Sequence, residues 1–168
     1  MNDPIETERL ILRPFQLQDL EGLALICSDP LVMQYIGDGR ALDYDTTRQL
    51  LDRIMTQHAK SGFGLLAITL KESQQLLGFC GLIAQTVDEA NHIELGYRLD
   101  RAFWGRGIAS EAAKMVKDYS HQTLHIPYLI SIIHQKNMAS KKVAQKIGMN
   151  YWKSTVFKGQ EVDVFHSA

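Results

Sequence analysis

The stretch Trp104-Gly105-Arg106-Gly107-Ile108-Ala109-Ser110-Glu111 carries the plainest chemistry in this chain. It runs from a predicted strand, His92 to Leu99, into a predicted amphipathic helix, Ile108 to Tyr119. Paired glycines let a main chain approach a ligand closely. The free N–H groups of a first helical turn point out of the helix end, where they and the macrodipole favour an anion such as a phosphate or pyrophosphate. A second helix start, Asn137-Met138-Ala139-Ser140, follows the next predicted strand, Tyr128 to His134. Two such elements splayed from adjacent parallel strands make a ligand cleft at the carboxyl edge of a sheet. Glu94 sits in the first strand among apolar residues, where burial would raise its pKa towards that of a general base. Its bland reading is a solvent-facing or ion-paired strand residue, because unpaired Glu is seldom buried.

Competing motifs fail at particular positions. The dinucleotide pattern needs a third glycine where Ser110 stands, and a carboxylate after the following strand, where the chain has Gln135-Lys136. A phosphate-binding loop of the Gly-Lys-Ser/Thr type does not occur. Of the histidines at 58, 92, 121, 125, 134 and 166, only His121 and His125 are four apart, and no HExxH occurs, so no metal is expected. Cys27 and Cys80 read as buried, reduced, structural thiols without a neighbouring base.

The elements that must hold these residues follow from periodicity. Arg9 to Pro14 reads as a strand ended by proline, and Asp19 to Ile26 as a helix broken at Ser28-Asp29-Pro30. Leu31 to Ile36 reads as a further helical turn leading into the loop Gly37-Asp38-Gly39. A helix over Thr47 to Lys60 has Asp45 or Thr46 as its expected cap and Gly62 as its stop. Strands are expected over Gly64 to Leu70 and Leu76 to Gln85, a short helix over Ser140 to Ile147, and a final hairpin of Tyr151 to Phe157 with Val162 to Phe165. This order describes a mixed α/β sheet, with a parallel pair where the Ile108 helix crosses from one strand to the next.

Bulk properties agree with one domain over residues 1–168. A hydrophobic content of 45% with 22% charged residues is that of an ordinary folded protein, and a net charge of -1 gives no bulk attraction to nucleic acid or to an anionic membrane. Without a leader-like N-terminus or an apolar run of membrane length, the cytoplasm is the expected location. A monomer or homodimer acting on a small ligand is expected.

Taken together, Thr7-Glu8-Arg9-Leu10-Ile11-Leu12-Arg13-Pro14-Phe15, Ile93 to Asp100, Phe103 to Ala112, and Asn137-Met138-Ala139-Ser140 with Lys146-Ile147-Gly148-Met149 resemble the GNAT superfamily of acetyl-coenzyme A-dependent N-acetyltransferases. The resemblance is greatest to its ribosomal-protein alanine N-acetyltransferase branch. The superfamily signature Gln/Arg-x-x-Gly-x-Gly/Ala corresponds to Trp104-x-x-Gly107-x-Ala109, with the tryptophan common in that branch. The resemblance implies a mostly antiparallel seven-stranded sheet with helices on both faces and a cofactor cleft between two splayed parallel strands. It implies acetyl-coenzyme A as cosubstrate, its pyrophosphate on the backbone of Arg106, Gly107, Ile108, Ala109 and Ser110, with Gly105 also among the cofactor-binding residues. Its pantetheine arm would pair with the strand end Tyr97, Arg98 and Leu99, with Leu95, Trp104, Asn137 and Ser140 also among the cofactor-binding residues. Where many members carry a general-acid tyrosine this chain has Ala144, and the branch gives the thiolate-serving role to the serine at Ser140.

Acetyl transfer to an amine needs a neutral nucleophile, a polarised carbonyl and a stabilised thiolate. Glu94 is the expected base and Ser140 the expected hydroxyl donor, although a helix-start serine is as often a cap. A main-chain N–H near Leu95 or Gly96, freed by a bulge, is expected to hold the thioester oxygen. Tyr97 and Trp104 either wall the cleft or belong to the core. Arg106, Lys141 or Lys142 is the expected partner of the adenosine phosphate. The amine site is expected from the loop Met33 to Arg40 and the final hairpin. The acceptor is first a protein N-terminal amine, such as that of a ribosomal protein, and otherwise a small-molecule amine; a non-catalytic coenzyme A-binding sensor is the different-class alternative.

Overall fold

The computed structural model describes residues 3–167. Among these, eight strands form one sheet: β1 (Ile5–Glu6), β2 (Leu10–Arg13), β3 (Leu65–Leu70), β4 (Leu76–Val87), β5 (Ala90–Leu99), β6 (Ile130–His134), β7 (Asn150–Phe157) and β8 (Gln160–His166). Their order is β1-β2-β3-β4-β5-β6-β8-β7. Every neighbouring pair is antiparallel except β5 and β6. The strand beyond the expected seven is β1, whose two residues are too few to show an alternation in sequence.

Helices cover both faces, and strand alternation decides which side chain meets which. In β3, Leu66 and Ile68 pack with α4 (Ile108–Gln122) and α5 (Met138–Lys146), while Ala67 between them faces α1 (Leu20–Cys27), α2 (Pro30–Met33) and α3 (Tyr44–Ser61). The cap of α3 is Asp43, which accepts from Thr46 N–H at 2.8 Å, so the helix begins upstream of the expected Asp45 or Thr46. At the final hairpin Lys158 and Gly159 both take positive φ, the turn that matches strand twist. No helix among the described residues is long and apolar enough to cross a membrane.

Glu111, in the first turn of α4, ties that helix to the start of the sheet. It accepts from Thr7 Oγ1, from the Arg9 main-chain N–H at 3.1 Å and from Arg9 Nε at 2.7 Å, while Arg9 Nη1 reaches the carbonyl of Arg106 at 3.1 Å. Burial alone would push this carboxyl up, but the hydrogen bonds from Thr7 and Arg9 outweigh it and hold it below the ordinary carboxylate range. A depressed folded-state pKa adds stability above the unfolded value and loses it as pH falls through the folded one. Glu111→Gln should therefore lower the melting temperature near neutral pH by about 2–4 °C, the shift of a part-exposed ion pair in a chain of this size. Below about pH 4 the gap to wild type should close. Thermal melting at the two pH values checks this.

Candidate active site

Beyond Glu94 the parallel strands part. Their pairing is the single register Glu94↔Ile130, after which the Ser131 hydroxyl, not a strand N–H, donates to the carbonyl of Leu95 at 2.8 Å. The N–H of Ile132 is instead directed to the Glu94 carboxylate. The register of β4 with β5 runs unbroken from Gly78↔Leu99 to Val87↔Ala90. There is thus no bulge near Leu95 or Gly96; splay, not a bulge, opens the strand.

Backbone direction along β5 shows which groups enter the gap. The carbonyl of Leu95 turns to β6, and that of Leu99 accepts the Trp104 indole N–H at 3.1 Å. Alternation aims the main-chain N–H of Tyr97 the same way, whereas Gly96 pairs with Gly81 of β4.

Two cavities meet here. One, of about 390 Å³, is lined by Leu99, Trp104, Gly105, Gly107, Ile108, Ala109, Ser110, Lys142 and Val143. The other, of about 380 Å³, is lined by Gln85, Glu94, Leu95, Gly96, His134, Phe157 and Lys158. Tyr35, Ile36, Tyr97, Arg98, Asn137 and Ser140 border both. A ligand in each would have its end at the same place.

The first cavity is built on the glycine pair. Gly105 and Gly107 have φ of +74° and +77°, the left-handed region that other residues occupy at a cost. Gly107 caps α4 without a side chain, leaving the N–H groups of its first turn facing the cavity wall. Arg106 stands apart: its guanidinium lies over the Phe103 ring at 5.3 Å, and its carbonyl is taken by Arg9. Of the three expected phosphate partners, Lys141 is paired with Asp163 at 2.6 Å and Lys142 borders the cavity. Leu95 falls on the other cavity.

Glu94, on β5, lines the second cavity, and Ser140, in the first turn of α5, borders both. Glu94 is half-buried; Gln85 Nε2 donates to it at 2.8 Å, and no ion pair involving it occurs among the described residues. Burial raises its pKa above the ordinary carboxylate range, opposed by the Gln85 bond, the Ile132 N–H and the more distant Lys158. The cap of α5 is Asn137, whose side chain accepts from Ser140 N–H at 3.1 Å. Ser140 is therefore not the cap, and it borders both cavities. The Tyr97 hydroxyl donates to the Ser140 carbonyl at 2.9 Å and is pushed up by burial, so Tyr97 both joins the core and walls the cleft. Ala144 is fully buried in the α4 contact. Cys27 and Cys80 are buried, border neither cavity, and burial pushes the Cys80 thiol far up.

A family model described as an acetyltransferase (GNAT) domain matches residues 9–150. The chain belongs to the GNAT acetyltransferase family. This GNAT protein is 30% identical to a Bacillus licheniformis protein named an uncharacterized N-acetyltransferase, p20, over 97% of this chain and 93% of that one. An acetyltransferase structure from Agrobacterium tumefaciens superposes with a TM-score of 0.84 at 27% identity, covering 99% of this chain and 94% of that one. A ribosomal L7/L12 alpha-N-protein acetyltransferase in complex with coenzyme A shares the fold at a TM-score of 0.81 and 17% identity, over 98% and 97% of the two chains. The family and the named N-acetyltransferase relatives make this chain an acetyl-coenzyme A-dependent N-acetyltransferase.

The second cavity takes Tyr35, Ile36 and Gly37 from the expected loop Met33 to Arg40 and Phe157, Lys158 and Gln160 from the final hairpin, while its residues Gln85 and His134 were passed over by sequence reasoning. Gln85 is the diagonal cross-strand neighbour of Glu94, a position fixed only once register is known. Tyr35 and His134 stack at 5.1 Å between centroids, joining the loop after α2 to the end of β6.

Proposed function

We propose that residues 1–168 act as a single domain that transfers acetyl from acetyl-coenzyme A to a primary amine by direct attack, with both substrates bound at once. What carries this is the meeting of the two cavities at Tyr97, Asn137 and Ser140. Coenzyme pyrophosphate lies on the free amides around Gly107 to Ser110, and the pantetheine arm runs along the open edge of β5 past Leu99 and Tyr97. Lys142 meets the adenosine phosphate. Glu94 takes the proton of the amine, directly or through a water, and the N–H of Tyr97 polarises the thioester oxygen. Ser140 donates to the departing thiolate. The two thiols border neither cavity and the one at Cys80 resists ionisation, which favours direct attack over an acyl-enzyme. Their unpaired state agrees with a cytoplasmic location.

The acceptor is first read as a protein N-terminal amine. The about 380 Å³ acceptor cavity, walled by the Tyr35–His134 stack, favours a second reading, a small-molecule amine. Thiol release measured with N-terminal peptides and small amines decides between them. Tight coenzyme binding with no release for any acceptor would instead identify a sensor. Ser140→Ala should lower kcat by about tenfold to a hundredfold, the worth of one hydrogen bond to a developing charge, with a smaller change in the KM for acetyl-coenzyme A. An unchanged kcat in steady-state kinetics would remove Ser140 from the mechanism.

A further inference from the structure

Arg98 carries a charge that the fold leaves unanswered. Its Nη1 donates to Cys27 Sγ at 3.2 Å, a weak acceptor, and its guanidinium lies over the Phe79 ring at 4.9 Å. Its Nε is buried with no hydrogen-bond partner, and no ion pair among the described residues includes it. Arg13 shows what the same fold does with a satisfied guanidinium: it forms a bidentate pair with Asp19 at 2.8 and 2.7 Å. Leaving a buried cation without an anion is costly, and burial accordingly draws Arg98 below the usual arginine range.

Its position says which anion would answer it. Glu94, Gly96 and Arg98 share one face of β5 and all three line the acceptor cavity, with Ile83 of β4 packed against Gly96 so closely that a Cβ there would lie 3.2 Å from Ile83 Cδ1. Arg98 borders both cavities, so a group bound to it lies beside the point where acetyl is transferred. Arg98 and Lys158 are the cations of the acceptor cavity wall, and Glu94 is its one carboxylate. That balance repels a polycationic amine and welcomes an amine that brings its own negative charge.

We propose that Arg98 receives a carboxylate of the acceptor, so that the enzyme acetylates amines bearing a carboxylate a few bonds from the nitrogen. This rests on the acetyl-transfer reading and narrows its acceptor. A planar carboxylate matches the guanidinium fork, and it would supply the hydrogen-bond partner that Nε lacks. Two sources share that chemistry: a free amino acid, and a peptide whose first residue is Asp or Glu.

The test compares matched acceptors in thiol-release kinetics: free amino acids against their carboxamides, and peptides beginning with Glu against the same peptides beginning with Gln. Wild-type kcat/KM should favour the acid member of at least one set by about tenfold or more, since a site built around a charged hydrogen bond discriminates against an analogue lacking it. The set showing the preference identifies the source. In Arg98→Met the acid-to-amide ratio should collapse towards one. Equal wild-type rates on acid and amide overturn the proposal, and that comparison needs no variant to fold. A preference that survives Arg98→Met, or a variant whose one change is a higher KM for acetyl-coenzyme A, overturns it too. If no amine of any kind releases thiol, acetyl transfer itself fails and this proposal falls with it; if amines react regardless of a carboxylate, this proposal alone fails.

Discussion

Replacing Glu94 by Gln lowers kcat for acetyl transfer by about 10²–10⁴-fold, the usual contribution of a positioned general base, and removes the acidic limb of the pH–rate profile. The limb arises because an amine loses its proton to the carboxylate, not to the carboxylic acid. In wild type the rate climbs with pH as Glu94 ionises, and burial places that climb above the ordinary carboxylate range. Gln keeps the shape and can still accept from Gln85 or the Ile132 N–H, so the packing around it survives. Stability moves the opposite way from activity. A carboxyl whose folded pKa is raised stabilises the fold below its unfolded pKa and loses that contribution as pH rises through the folded value. Above its unfolded pKa Glu94 therefore opposes folding, and there Glu94→Gln should melt at the wild-type temperature or above it. Low turnover with an undiminished melting temperature separates a base from a structural residue. A variant with wild-type kcat and an intact acidic limb would sink the assignment.

How much of this site could be read from the chain depends on how local each cause is. Gly105 and Gly107 were legible because positive φ and an uncovered helix start are properties of the segment itself. Strand identities were legible for a related reason, because a strand buried on both faces reads as a short unbroken apolar run such as Leu65-Leu66-Ala67-Ile68. The opening between β5 and β6 was legible as splay but not in its detail. It depends on a hydroxyl, Ser131, taking the carbonyl that a parallel neighbour would have bonded, and on Ile132 turning its N–H to Glu94. Gly96 invited a bulge, yet an unbroken ladder with β4 holds it. The surroundings of Arg98 come from Cys27 in α1 and Phe79 in β4, so no local pattern announces them. Ser140 resembled a cap because it opens a helix; Asn137, three residues earlier, takes that role and leaves the serine facing the cleft.

The second large effect falls on coenzyme binding. Gly107→Val should weaken coenzyme A by about a hundredfold, the loss of one to two charged hydrogen bonds at the helix start. Space is not the cause: a Cβ at this position would meet Arg9 Nη2 at 3.6 Å, an ordinary contact. What a β-branched residue cannot do cheaply is hold φ near +77°, and its relaxation turns the following amides away from their common focus. Folding should suffer only by the dihedral cost of about 1–2 kcal/mol, because Arg9 and Glu111 still clamp the helix from the sheet. Pantetheine provides the control, since it lacks the pyrophosphate and should bind wild type and Gly107→Val with the same weak affinity. Calorimetry with both ligands reads the difference directly. A variant that binds coenzyme A as wild type does, or that loses pantetheine in equal measure, would place the pyrophosphate somewhere other than the amides of Gly107 to Ser110.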